Sequence, residues 1–222
     1  MKTNSRFLLA AALGLALTLA LSCSSDSNGG NNPSGDGGST GDTFVDIRDN
    51  KPYKFVKIGN QTWMAENLNY DVPSNDTDVC YGDEPANCAT YGRLYNWATA
   101  GTACPTDWHL PTDAEWGTLM QNANPSCSPD IGSSCNGVAT KLKSANWAGT
   151  NELKFSALPS GARNNKNGNF EGLGEWTGWW SATASNKNPA EAYLRSMSSS
   201  NDNVRGGDNT KEYGISVRCV KD

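Results

Sequence analysis

Histidine is nearly missing from this chain: His109 is the only one in 222 residues. Any zinc site would have to draw mainly on cysteine and carboxylates, and any serine or cysteine hydrolase machinery would have a single imidazole to serve as base. Positive charge is also scarce. Lys and Arg total 18 against 23 Asp and Glu, and two of those basic residues, Lys2 and Arg6, lie in the opening segment, so the rest is more acidic than the overall net charge of −5. Such a surface does not attract phosphate backbones, and nucleic acid is not an expected partner. Aliphatic residues are few. What fills the space instead is Gly (23 residues), Asn, Ser and Trp (8 residues), the composition of a loop-heavy extracellular domain rather than a cytosolic enzyme. The length fits one domain plus appendages.

The first appendage reads as an export signal over residues 1–22: Lys2 and Arg6 in front, an apolar stretch from Phe7 to Leu21, then Ser22. Leu19-Ala20-Leu21-Ser22-Cys23 resembles a bacterial lipobox, with Ala20 in place of a larger aliphatic three positions before the cysteine. Cys23 is thus the expected lipidation site, and the expected location is the outer membrane or cell surface of a bacterium, with the membrane engaged through the N-terminal lipid. Residues 23–42 form the second appendage. From Ser24 to Gly41 they contain no large apolar side chain, so they cannot offset their ordering entropy and are expected to act as a lipidated flexible tether. A Gly/Ser coil of this length spans roughly 23 Å. The domain proper is expected over residues 43–222.

Six cysteines remain: Cys80, Cys88, Cys104, Cys127, Cys135 and Cys219. An even number in an exported chain implies disulfides, and six allow about 15 connectivities. Cys80 and Cys88 bracket YGDEPAN and Cys127 and Cys135 bracket SPDIGSS, both turn-forming segments, so two local loops are the simplest assignment. That pairs Cys104 with Cys219, a long closure that the chain-entropy model values at about 4–5 kcal/mol. No CxxC pair suggests a thiolate metal site.

Phe44–Ile47 and Tyr53–Ile58 alternate apolar and polar residues around Asp49-Asn50-Lys51-Pro52 and predict a hairpin; Gly59-Asn60 predicts a second turn into Gln61–Met64. Tyr91–Ala100 predicts a helix ending before Gly101. Thr112 and Glu115 form a capping box that opens a second helix, with Trp116, Leu119 and Met120 on its buried stripe, and this role accounts for Glu115 without catalysis. Later strand-like pieces are Lys154–Leu158, Trp179–Thr183, Ala192–Ser196 and Gly214–Val220, joined by long polar connections.

Val56–Leu68, Tyr91–Trp97, Cys104–Trp116, Gly178–Ser181 and Ser216–Val220 occur in an order and wording that resembles the Fibrobacter succinogenes major paralogous domain, a family of secreted proteins and lipoproteins. More distantly, Leu110–Trp116, Val204-Arg205-Gly206-Gly207 and Val217-Arg218-Cys219 resemble the formylglycine-generating, sulfatase-modifying domain, a variant of the C-type lectin fold. The resemblance implies an α+β, C-type-lectin-like domain with a twisted antiparallel sheet, two short helices, long loops, disulfides, and N- and C-terminal strands side by side. The redox-active, copper-binding cysteine pair of the formylglycine-generating enzymes has no counterpart between Arg205 and Arg218, so the oxidase activity is not carried over. The calcium-binding motifs of C-type lectins are likewise unmatched by Glu84-Pro85-Ala86 and Asn201-Asp202-Asn203; Asp202 and Asp208 are the oxygen ligands a calcium ion would find, and no cofactor is otherwise expected.

Trp176, Trp179 and Trp180, with Glu171 and Glu175 just before them, are the densest aromatic and acidic cluster and the expected ligand-binding residues. In a strand Trp179 and Trp180 point to opposite faces, so one is expected to be displayed unless both faces are covered. Displayed indoles suit sugar rings and partner side chains. Glu171 and Glu175 in a Gly-rich loop are a poor rigid platform for a glycosidase pair. The sequence thus points to a lipid-anchored envelope protein with a non-catalytic domain that binds polysaccharide or another envelope protein. A glycan-active or oxidative enzyme and a purely structural envelope protein are the alternatives.

Overall fold

The computed structural model describes residues 42–73 and 77–222; the export segment, Cys23 and all but the last residue of the tether lie outside the described residues. The strands, in chain order, are β1 (Thr43–Asp46), β2 (Lys51–Ile58), β3 (Gln61–Met64), β4 (Asp78–Val79), β5 (Leu94–Tyr95), β6 (Trp108–His109), β7 (Cys135–Asn136), β8 (Ser160–Arg163), β9 (Phe170–Leu173), β10 (Trp176–Ala184), β11 (Glu191–Ser198), β12 (Asn203–Thr210), β13 (Ile215–Ser216) and β14 (Val220–Lys221). The helices are α1 (Pro85–Tyr91), α2 (Trp97–Ala103), α3 (Asp113–Ala123) and α4 (Ala139–Leu142). The class is α+β, mostly sheet with short helices and three disulfides.

A five-stranded sheet runs β1-β2-β3-β14-β6. Its first hairpin has the expected pairing, Phe44 opposite Tyr53, with Asn50 in the left-handed region at φ 59° where an asparagine is tolerated. Gly59 at φ 60° makes the next turn, and a methyl there would strike the Asn122 side chain. The last strand, β14, enters between β3 and β6, so the beginning and end of the domain share one sheet. Cys104–Cys219 ties the end of α2 to the residue before β14 across 115 positions, and Cys80–Cys88 and Cys127–Cys135 close the two short loops.

The larger sheet runs β4-β5-β13-β10-β11-β12-β7, with β8 beside β10 and β9 beside β8. Both faces of β10 are covered. Trp179 packs with Trp63, Trp116 and Phe155 under α3, while Trp180 packs with Tyr95, Leu194 and Ile215 on the other side. Large aromatics thereby supply the burial that the scarce aliphatics cannot.

Several expectations are corrected. The helix expected over Tyr91–Ala100 is two helices split by β5: Gly92 at φ 77° ends α1, and Asn96 starts α2 by accepting from Thr99 N–H, after which α2 runs through Gly101 to Ala103. Four short α-helices, not two, are present among the described residues. Lys154–Leu158 is not a strand: Lys154 and Ser156 both have φ of 57°, and Asn151 caps the bend by accepting from Ser156 N–H at 2.8 Å. The capping box on α3 is present as read.

Candidate functional site

The aromatic and acidic cluster does not stay together. Trp179 and Trp180 have 0% exposure, so neither is a displayed ring; the condition under which both are core, that both sheet faces be covered, is met on the second face by the core around Tyr95. Glu175 sits exposed in the turn between β9 and β10, with its backbone bonded to Gly172 and Ser199, and is not part of the pocket lining. Glu171 and Trp176, by contrast, come together on one pocket of about 310 Å³, lined by Ala162, Glu171, Gly172, Trp176, Asn209 and Tyr213.

Each wall has a local cause. Ala162 and Glu171 are direct partners in the β8–β9 pair, so their side chains share a face. The position is thus a paired strand, not the loose glycine loop expected for Glu171. Gly161 and Gly172, at φ 66° and 77°, bend this pair, and a methyl on Gly161 would strike Glu171 O and the Tyr81 ring. The Trp176 indole lies along its own strand over Gly178. A β-carbon at Gly178 would come within 2.5 Å of the far edge of that ring, so the missing side chain is what lets the indole lie flat. Asn209 arrives from β12 and Tyr213 from the turn before β13.

The Tyr213 hydroxyl donates to Glu171 Oε1. Burial first, and then the neighbouring carboxylate, push the phenol up to about 12, so it stays a neutral donor at any ordinary pH. Glu171 Oε2 is left as an acceptor on the pocket wall. Tyr213 and Asn209 were not singled out from sequence, because 42 positions separate Tyr213 from Glu171 and neither belongs to a local pattern.

A second group of aromatic and polar residues is buried. Asn67 Oδ1 accepts from Trp179 Nε1 at 2.8 Å and from Arg218 Nη2 at 2.8 Å, and Asn67 Nδ2 donates to Tyr91 O at 2.9 Å. Arg218 has 0% exposure; it also donates to Phe155 O, and its guanidinium lies 4.1 Å from the Phe155 ring centroid. Burial without a contacting carboxylate pulls its pKa down to about 9. Asn67 is also on the wall of a larger hollow of about 360 Å³, together with Lys51, Lys54, Glu66, Asn69, Tyr91 and Ser156 among others. A third cluster is ionic: Arg195 and Asp113, both fully buried, meet at 2.6 Å and hold β11 against α3.

His109 is held between Glu115 Oε1 at 2.8 Å and Asp222 Oδ1 at 2.5 Å. Partial burial would lower its pKa, but the hydrogen bonds to the two carboxylates outweigh it and the net shift is upward. The two calcium-ligand candidates have protein partners. Asp202 accepts from Thr140 N–H at the start of α4, and Asp208 accepts from Ser185 Oγ at 2.9 Å. Among the described residues no three His, Cys, Asp or Glu side chains group as a metal site.

Three of the motifs noted in the sequence, Val56–Leu68, Gly178–Ser181 and Ser216–Val220, supply Asn67, Trp179 and Arg218 to the buried network rather than to the Trp176–Tyr213 pocket. No curated protein and no solved structure matches the chain. The family model described as the Fibrobacter succinogenes major domain matches residues 56–221, which include all of these motifs and the whole lining of the Trp176–Tyr213 pocket, and the chain belongs to that family.

Proposed function

We propose that this is a lipid-anchored bacterial envelope protein whose C-type-lectin-like domain binds polysaccharide, without catalysis, in the Trp176–Tyr213 pocket. The observation that carries this reading is the lining itself: an indole laid flat by Gly178, a phenol, an amide and one carboxylate facing about 310 Å³. Aromatic faces suit the apolar C–H faces of sugar rings, and a few fixed polar groups set orientation. The pocket draws on residues 162–213, the loop-rich second half of the domain.

A glycosidase reading has less support. Two carboxyl groups about 5–9.5 Å apart across a scissile bond are needed, and Glu171 is the only carboxylate lining this pocket. A tyrosine nucleophile would need a lowered pKa, and that of Tyr213 is raised.

The test is affinity electrophoresis of the full chain, purified in detergent with its disulfides intact, through gels containing plant cell-wall polysaccharides. Retardation that disappears in Trp176→Ala, with unchanged circular dichroism, is the expected result. No retardation by any glycan would move a protein partner or a structural role to the front. Anchoring is tested separately, by incorporation of labelled palmitate into the wild type and its absence in Cys23→Ala.

A further inference from the structure

The charge of the ligand follows from the same lining. Resting on the glycan reading above, we infer that the pocket selects uncharged sugars and rejects glycans that carry a carboxylate on the ring, such as uronic acids. Of the six lining residues Glu171 alone carries a carboxyl group, and no Lys, Arg or His is among them. A carboxylated sugar would meet a like charge and no cation to offset it.

The cations nearest along the chain are not among the lining residues. Arg163 follows Ala162 in β8, so its side chain leaves the opposite face of that strand, where its guanidinium lies 5.9 Å from the Phe170 ring centroid. Lys211 donates to Pro189 O at 2.7 Å and lies 4.5 Å from the Trp97 ring centroid. Lys166 is exposed in the turn between β8 and β9. The neutral donors are similarly placed. Tyr213 spends its proton on Glu171 Oε1, which fixes the carboxylate and leaves Oε2 to accept from sugar hydroxyls, while Asn209 offers an amide. A pocket so equipped recognises an array of hydroxyl donors.

The experiment uses two matched pairs of β-1,4-linked hexasaccharides, mannohexaose with hexamannuronate and cellohexaose with hexaglucuronate. Within each pair the only change is a carboxylate for a hydroxymethyl at C6. Titration calorimetry of the full chain at pH 7 and low salt is expected to show the neutral member of a bound pair at least about tenfold tighter. In Glu171→Gln, which keeps an acceptor for the Tyr213 hydroxyl, the ratio should fall below about threefold. Equal binding in the wild type, or a preference untouched by Glu171→Gln, would overturn the charge selection and leave the pocket a glycan site. Failure of all four oligosaccharides to bind would overturn the glycan reading itself, and this inference with it.

Discussion

The buried network at Asn67 and the open pocket at Trp176 are made of the same materials, an indole, a second aromatic ring, an amide and a charged group, and they behave as opposites. At Asn67 the polar atoms are partnered within the protein: Trp179 and Arg218 both donate to Asn67, which in turn donates to Tyr91 O. At Trp176 the polar atoms are partnered on one side only, through Tyr213 and Glu171, and the other side faces a hollow. Three positions along one strand separate the two indoles. What distinguishes a core residue from a binding residue here is therefore the covering: β10 is packed on both faces at Trp179 and Trp180 and only partly covered at its first residue, Trp176, which rests on the edge of the second core.

Substitutions on the two sides should sort accordingly. Trp179→Ala should cost about 3–5 kcal/mol in denaturant unfolding, since it empties a fully buried site and removes a donor to Asn67. Trp176→Ala should change stability by much less while abolishing ligand retardation, and equal stability losses would erase the comparison. Asn67→Ala should cost about 2–3 kcal/mol, because the buried guanidinium and the Trp179 N–H lose their shared acceptor. A neutral outcome in equilibrium unfolding would show that Arg218 is satisfied by Phe155 and its rings alone.

Gly178→Ala tests the pocket without replacing a lining residue. The added methyl should lift the indole off the strand and weaken glycan binding several-fold at nearly unchanged melting temperature. Unaltered affinity would mean that the flat indole is not what the ligand meets.

The smallest effect belongs to His109 and sharpens the contrast from the scaffold side. Its folded pKa is raised above the ordinary 6.5, so its two carboxylate contacts add stability that is fully present below about pH 6.5 and is lost as pH rises through the folded value. The melting temperature of the wild type relative to His109→Gln should therefore fall across that window, while ligand affinity stays level. A parallel pH profile for the two proteins would dismiss the contacts as energetically idle.

The readings that succeeded from sequence rest on short-range physics. The Thr112–Glu115 capping box needs only four consecutive residues, and the β1–β2 hairpin needs only alternation and a turn. The two eight-residue disulfide loops are of the same kind, and Cys104–Cys219 followed from them by pairing what was left. The reading of Tyr91–Ala100 failed where a glycine at φ 77° and an asparagine cap outweighed a helical stripe, and Lys154–Leu158 failed because left-handed residues cannot continue a strand. Of the five residues expected to bind ligand, Glu171 and Trp176 line the pocket, Glu175 lies in an exposed turn outside the lining and two are core.

Sequence by itself determined the family and the α+β class of this protein, its disulfide pairs and the start of α3, since each depends on neighbours along the chain or on an ordered set of long motifs. Only the tertiary structure decided which tryptophan is covered and which is open, and only it brought Asn209 and Tyr213 to Glu171. Alternation along a strand says which residues share a face, but what lies against that face is set by elements many tens of residues away.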